Sequence, residues 1–262
     1  MAEAAGRGPR CRRPRPGLRL RTWLPAAVAL FWVVVAAAPL RAMQVDLELV
    51  LAVDCSYSVS EAEFALQMGG IATAFRDPEV LEAIADATPR GVAVSLVQWS
   101  GRNQQRQVVP WTHVADAEAV KALADDIERT PRAVPEGPTG LGEAIDFSIR
   151  LLLGSGFEGA RRVIDVSGDG RRNTGVDPAH ARDRALALGI TVNGLAIVNE
   201  DPALDAYYRA RVIGGVNAFV LTATDYGDFA RAMRLKLLTE IRNSPVVLEH
   251  DGGERVVASG TE

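Results

Sequence analysis

A carboxylate and two hydroxyl groups occupy every second position after an apolar segment of this 262-residue chain. The segment 45–53 begins with alternating polar and apolar residues and continues as an unbroken apolar run, which is typical of a strand covered on both faces of a parallel sheet. Asp54, Ser56 and Ser58 follow it directly. Because residues two apart in extended backbone project to the same side, we expect these side chains to face the crevice beyond the strand's carboxyl end. Three oxygen ligands at this spacing suit a hard cation such as Mg²⁺.

The sequence Asp-Cys-Ser-Tyr-Ser at 54–58 resembles the Asp-x-Ser-x-Ser element of the von Willebrand factor A domain. That module occurs in integrin I domains and in exported A-domain proteins of bacteria. The resemblance extends over about residues 46–241, in the element order of the A domain. It implies a metal-ion-dependent adhesion site (MIDAS) that takes its remaining ligands from two further loops.

Two later residues stand where this resemblance requires them. Thr139 lies in the stretch 137–144, which is similar to the family's Gly-Thr-x-x-x-x-Ala-Leu stretch, and Asp169 lies in Ser-Gly-Asp-Gly, where the family usually has Thr-Asp-Gly. By resemblance, Ser56, Ser58 and Thr139 bind the cation directly. Asp54 and Asp169 bind it directly or through water. The implied ion is Mg²⁺, or else Mn²⁺ or Ca²⁺, and its open position accepts an Asp or Glu carboxylate of a partner protein.

Each of these residues also has an explanation without a metal. Ser56 and Ser58 can be read as ordinary turn residues, and Asp54 can accept hydrogen bonds from nearby amides. Thr139 is explained as the N-cap of the helix that follows it. Asp169 and the glycine after it form a common turn pair. An exported structural domain that uses no metal therefore remains an alternative.

The catalytic alternatives lack their essential residues in the sequence. None of the three histidines stands beside a serine at the end of a predicted strand, as a serine hydrolase would need. A magnesium-dependent phosphatase-like hydrolase needs a second aspartate where Ser56 stands, and a lysine that grasps phosphate. Lys121 and Lys236, the only lysines, do not follow suitable strands. We therefore predict a binding protein that is not an enzyme, with the phosphatase-like hydrolase as an alternative.

The elements that must position these residues alternate along the chain. The periodicity predicts strands at 45–53, 92–99, 107–111, 162–166, 190–198 and 218–221. It predicts helices at 60–77, 79–87, 117–129, 139–153, 178–188, 204–212 and 225–241. This order indicates an α/β fold with a doubly wound, mostly parallel sheet, helices on both faces, and one antiparallel edge strand supplied by the hairpin 92–111.

The first 42 residues differ in composition from the remainder. Seven arginines precede the apolar segment 23–40, and Ala42 ends a sequence similar to a signal-peptidase site. These features predict a secretory signal peptide cleaved after Ala42. An uncleaved anchor is the alternative, although the apolar segment contains two prolines and is slightly short of the roughly 20 residues that a spanning helix needs.

Charge and composition bound the location and the partners. The formal net charge of the chain is −4, and because residues 1–42 contain eight arginines and one acidic residue, it becomes −11 without them. An acidic surface argues against nucleic acid and anionic lipid as partners and favours cation capture. We expect an exported protein, periplasmic or secreted, with no membrane insertion after cleavage. Residues 43–242 are predicted to form the A domain and residues 243–262 a flexible tail.

Overall fold

The computed structural model describes residues 42–243, 247–249 and 255–257. The predicted signal peptide lies outside these residues, apart from Ala42, so its cleavage stays a prediction. Within the described part of the chain, none of the helices has the length and apolar character needed to cross a membrane.

A six-stranded sheet carries helices on both faces. Its strands are β1 (Met43–Asp54), β2 (Val92–Trp99), β3 (Gln105–Val114), β4 (Phe157–Gly168), β5 (Ile190–Ile197) and β6 (Val220–Ala223). The helices are α1 (Glu61–Phe75), α2 (Pro78–Ala87), α3 (Ala117–Arg129), α4 (Leu141–Leu153), α5 (Pro178–Ala187), α6 (Leu204–Arg211) and α7 (Phe229–Arg242). The strand order is β3-β2-β1-β4-β5-β6, and β3 alone runs antiparallel to its neighbour. The predicted fold class is confirmed.

The element bounds differ from the predicted ones mainly where the sequence is polar. β2 and α3 have the predicted bounds, whereas β4 begins at Phe157 rather than at 162. The exposed start of β4 reads as a loop in the sequence, but it pairs with the start of β1, where Met43 lies opposite Phe157. α4 begins at Leu141, after the predicted start at 139, and α7 begins at Phe229, after the predicted start at 225.

Both faces of β1 are buried, which accounts for its unbroken apolar run. Leu49 and Leu51 pack into a hydrophobic cluster with α1, α2, α3 and α7. Val50 and Ala52 pack into a second cluster with α4, α5 and α6. Successive side chains of a strand point to opposite faces, so a strand sandwiched between two helical layers must be apolar at every position.

β1 lies at the centre of the sheet, between β2 and β4. The chain leaves β1 through α1 and α2 to reach β2 on one side, and it reaches β4 on the other side only later, through α4. Such a reversal of strand order opens a crevice at the carboxyl ends of the two strands, where open α/β sheets bind ligands. The loops after β1 and β4 begin at this crevice.

The predicted helix start after the first loop is confirmed. Ser60 is the N-cap of α1, and its side chain accepts a hydrogen bond from the Glu63 N–H, while the Glu63 carboxylate accepts one from the Ser60 N–H. This reciprocal capping box fixes where the helix begins. The loop that carries Ser56 and Ser58 ends at this cap.

Two short strands lie in the segment predicted as a tail. β7 (Val247–Glu249) and β8 (Arg255–Val257) pair antiparallel as a separate two-stranded sheet. The sequence predicts no strand there, because three-residue strands in a polar, glycine-containing segment leave no periodicity to recognise.

Candidate metal centre

Three loops meet at the carboxyl ends of β1 and β4. They are the segment 54–60 after β1, the segment 136–140 before α4 and the segment 169–177 after β4. Backbone hydrogen bonds tie them together, since the Tyr57 N–H donates to the Gly137 carbonyl (2.8 Å) and the Asn173 N–H donates to the Thr139 carbonyl (3.1 Å). The relative positions of the loops are thus set by the backbone.

The first loop turns around the Asp54 carboxylate. Asp54 Oδ1 accepts a hydrogen bond from the Ser56 N–H at 2.7 Å, which directs the chain so that the Ser56 and Ser58 hydroxyl oxygens lie 3.2 Å apart. The Ser58 hydroxyl then donates to Asp169 Oδ1 at 2.6 Å. Four of the five residues predicted as metal ligands are therefore linked by direct polar contacts across the two loops.

The second oxygen of Asp169 has a partner that the sequence did not reveal. Tyr226 lies in the turn before α7, and its hydroxyl donates a hydrogen bond of 2.9 Å to Asp169 Oδ2. Both side chains are buried. Burial and the nearby Asp169 charge raise the pKa of Tyr226, so this phenol stays a neutral donor. No local pattern marks Tyr226, because its contact with Asp169 exists only once α7 has packed on the sheet.

Thr139 lies beside the same cluster, and its interpretation as an N-cap is wrong. Gly140 is the N-cap of α4, and that helix start has no side-chain capping hydrogen bond. The Thr139 backbone is held instead by Asn173, whose side-chain oxygen accepts from the Thr139 N–H at 2.8 Å. The Thr139 hydroxyl oxygen lies 3.6 Å from the point that a Cβ on Gly170 would occupy, next to Asp169. Because the Thr139 side chain does not cap α4, its hydroxyl is left available at the centre.

The electrostatics of the centre favour a bound cation. Asp54 is 0% exposed, and its Oδ2 has no hydrogen-bond partner among the described residues. Burial, and secondly the charge of Asp169, raise the pKa of Asp54 to about 8. Arg132 opposes this shift, but its guanidinium donates to the Val59 carbonyl and pairs with two glutamates. Two carboxylates and three hydroxyls, all hard oxygen donors, therefore fit a divalent cation such as Mg²⁺.

The residues around these loops differ in exposure and in their contacts. Arg171 pairs with Asp201 and stacks over the Tyr207 ring, so this arginine is already engaged. Tyr57 is 70% exposed and projects from the first loop, whereas Trp99 is fully buried and belongs to the core.

Asp165 faces α7 and does not reach the centre. Its carboxylate lies 3.1 Å from the ammonium of Lys236, a residue on the buried face of α7. Asp165 therefore contacts α7 through Lys236.

The groups that hydrolysis would need lie elsewhere in the described part of the chain. His113 belongs to β3, and its Nε2 lies 2.9 Å from the Arg90 carbonyl oxygen. His180 belongs to α5. Lys121 is exposed on α3, and Lys236 lies on the buried face of α7. His250 lies outside the described residues.

Solved structures share this fold. The chain is similar to proximal thread matrix protein 1 from the mussel byssus, in a structure whose MIDAS motif holds zinc (17% identity, TM-score 0.52, covering 75% of this chain and 48% of that one). It is similar to a von Willebrand factor type A protein of Catenulispora acidiphila (16%, TM-score 0.55, 75% and 43%). It is also similar to the von Willebrand factor domain of the type V pili tip protein Mfa5 of Porphyromonas gingivalis (12%, TM-score 0.52, 74% and 95%).

The protein therefore has the fold of the von Willebrand factor type A domain. It spans less than half the length of the mussel and Catenulispora chains. Residues 44–245 match the family described as "Protein of unknown function (DUF1194)", and the chain belongs to that family. A comparison with curated proteins gives no match.

Proposed function

We propose that this domain binds a divalent cation through Asp54, Ser56, Ser58, Thr139 and Asp169, and that the cation captures a carboxylate of a partner protein. The observation that carries the proposal is the buried Asp54 Oδ2, which has no donor among the described residues and lies near a second carboxylate. A buried acceptor left without a partner costs about 1–3 kcal/mol, and more when it is charged. A cation bound there pairs with the Asp54 oxygen and also offsets the repulsion between the two carboxylates.

Mg²⁺ is the first candidate for the ion, with Mn²⁺ and Ca²⁺ as alternatives. All five side chains offer oxygen and none offers sulfur or nitrogen, which favours hard cations. The zinc in the mussel protein's motif supports a divalent ion at this position of the fold without identifying the ion used here. Mg²⁺ takes six oxygen ligands, so five side chains leave a position for water or for an incoming carboxylate.

We propose adhesion or assembly as the kind of function, outside the cytoplasm. A byssus matrix protein and a pilus tip protein are among the structural neighbours, which supports a role in protein–protein contact. The sequence features of residues 1–42 support export, either to the periplasm or out of the cell. The cation would present its open position to an Asp or Glu side chain of the partner.

Binding is a better proposal than hydrolysis for this centre. Ser56 occupies the place where a phosphatase-like site needs a second aspartate, and its hydroxyl contacts Ser58. Neither lysine lies at the three loops, so the lysine with which those enzymes grasp phosphate is missing there. The metal-free structural domain is the remaining alternative, and the experiment below separates it from the proposal.

Thermal unfolding of the purified chain in EDTA, Mg²⁺ and Mn²⁺ tests the proposal. A cation at 100 times its Kd stabilises the folded state by about 2.7 kcal/mol. For a domain of about 200 residues this corresponds to a rise in Tm of roughly 5–11 °C. We expect this rise in the wild type and its loss in Asp54→Ala and Asp169→Ala. Asp86→Ala, an exposed change in α2, should keep it. If millimolar metal leaves the wild-type Tm unchanged, the metal-free structural domain is the correct description.

The open position is tested separately with Mn²⁺. Acetate should displace water from the protein-bound ion, and the water-proton relaxation of the Mn²⁺ complex should fall as acetate is added. A complex that binds Mn²⁺ but keeps its relaxation in acetate would refute carboxylate capture while leaving the metal site intact.

A further inference from the structure

Three side chains from three different elements converge on Gly168, the residue before Asp169. A Cβ placed on Gly168 would lie 2.8 Å from Asp54 Oδ2, 2.9 Å from the Tyr208 hydroxyl oxygen and 3.4 Å from a ring carbon of Trp99. The two oxygen distances are shorter than carbon–oxygen contacts normally allow, so no larger residue fits here without displacing Asp54 or Tyr208. The missing side chain thus brings the Tyr208 hydroxyl next to the back of the proposed metal centre.

A second glycine makes room for the ring of Tyr208. A Cβ on Gly194 of β5 would lie 2.6 Å from Tyr208 Cδ1. Gly194 pairs with Val166 and Gly168 pairs with Ala196, so the two glycines lie on adjacent strands and on the same sheet face. Tyr208 itself is fully buried, and α6 delivers it onto this face. Glycines on β4 and β5 therefore leave the space that the hydroxyl and the ring of Tyr208 occupy beside Asp54.

The polar atoms that meet there lack other partners. The Tyr208 hydroxyl, Asp54 Oδ2 and Trp99 Nε1 are all buried, and none has a hydrogen-bond partner among the described residues. Each such group costs about 1–3 kcal/mol if it stays unpaired. A phenol is a hydrogen-bond donor and a carboxylate oxygen is an acceptor, so the Tyr208 hydroxyl and Asp54 Oδ2 are complementary.

We infer that Tyr208 is a positioning residue of the metal centre: when a cation binds, the Tyr208 hydroxyl closes onto Asp54 Oδ2 across Gly168, donates a hydrogen bond to it and so orients the carboxylate toward the cation. The inference rests on the proposed function. Tyr208 would then act on Asp54 as Tyr226 acts on Asp169, whose Oδ2 already accepts a phenol hydrogen bond. A donor behind a metal-binding carboxylate fixes the orientation of that carboxylate and so raises its affinity for the cation.

Tyr208→Phe tests the inference, because it removes the hydroxyl and keeps the ring. Loss of a partner that orients a metal ligand typically weakens metal affinity by roughly 10- to 100-fold. We expect the Kd for Mn²⁺, measured by calorimetric titration, to rise by at least about 10-fold in Tyr208→Phe. Tyr207→Phe, the same change at the adjacent residue, should stay within about twofold of the wild type, because its hydroxyl contacts the Arg172 N–H and not a carboxylate.

A spectroscopic signature separates positioning from a purely structural role. Mg²⁺ should produce a near-ultraviolet tyrosine difference band in the wild type and in Tyr207→Phe, and that band should shrink in Tyr208→Phe. A Tyr208→Phe variant with a changed Tm but wild-type Kd and difference band would overturn the inference and leave the proposed function standing. If the wild type itself binds no metal, the proposed function fails first.

Discussion

The buried ammonium of Lys236 provides a sharp test of how α7 is held on the sheet. Lys236 is 0% exposed, and its Nζ lies 3.1 Å from Asp165 Oδ1 of β4 and 3.5 Å from Glu240 Oε1 of its own helix. The Asn193 side chain donates to Glu240 at 2.7 Å, and the Phe219 ring lies 4.4 Å from the ammonium. One cation thus serves two buried carboxylates.

Lys236→Met keeps the length and the apolar stem of the side chain and removes its charge. Two buried carboxylates would then have no cation, and breaking a buried ion pair in this way costs about 3–5 kcal/mol. At roughly 2–4 °C per kcal/mol for a domain of about 200 residues, we expect Tm to fall by about 6–20 °C. The free energy of unfolding should be measured by urea denaturation at pH 7, in EDTA so that metal binding does not contribute.

The chain contains its own matched control. Lys121, the only other lysine, is 74% exposed on α3 and pairs with Asp125 at 3.5 Å. Surface pairs of this kind contribute about 0–1 kcal/mol, so Lys121→Met should change stability little. If Lys236→Met unfolds with the same free energy as Lys121→Met, the buried network does not anchor α7 and the reasoning is wrong.

Two further outcomes follow from the structure. Burial, opposed by Lys236 and reinforced by Glu240, raises the pKa of Asp165 to about 7. The folded state therefore binds a proton on Asp165 that the unfolded state releases, so the contribution of Asp165 to stability falls as pH rises from about 4 to about 7. In urea denaturation, Asp165→Asn should therefore be more stable relative to the wild type at pH 7 than at pH 4.5. A stability difference that stays constant with pH would show that Asp165 titrates normally. Ser60→Ala removes the capping box and should lower the free energy of unfolding by about 1 kcal/mol, while the Kd for Mn²⁺ should stay unchanged. A higher Kd in this variant would mean that the N-cap also positions Ser58.

The sheet and the order of its elements could be predicted because their signals are local. The unbroken apolar runs of β1 and β2 and the helical period of α3 are set by burial on one or both faces. The candidate ligands could also be placed together, since each lies after a predicted strand or before a predicted helix at the same sheet edge. The contact between Ser58 and Asp169 is the direct result of that placement.

The sequence could not give the features that depend on packing between distant segments. Tyr226 and Tyr208 read only as parts of helical segments, and their approach to Asp169 and Asp54 needs α7 and α6 in place. Gly168 stands where the A-domain family usually has threonine, and this departure was the one sign of the Tyr208 contact in the sequence. Its meaning depends on the Tyr208 side chain, which fills the space beside Gly168. The sequence suggests Thr139 as an N-cap because threonine commonly has that role before a helix. In the structure the loop places Gly140 at the cap position instead.

The most direct test of the proposed metal centre is the stoichiometry of Mn²⁺ binding by calorimetric titration, in the wild type and in Asp169→Ala. Asp169 receives hydrogen bonds from Ser58 and Tyr226, so its replacement removes the residue that joins the loops after β1 and β4. We expect one Mn²⁺ per wild-type chain and no measurable binding to the variant. Equal binding by both proteins, or none by the wild type at millimolar Mn²⁺, would contradict a cation site built from these five residues.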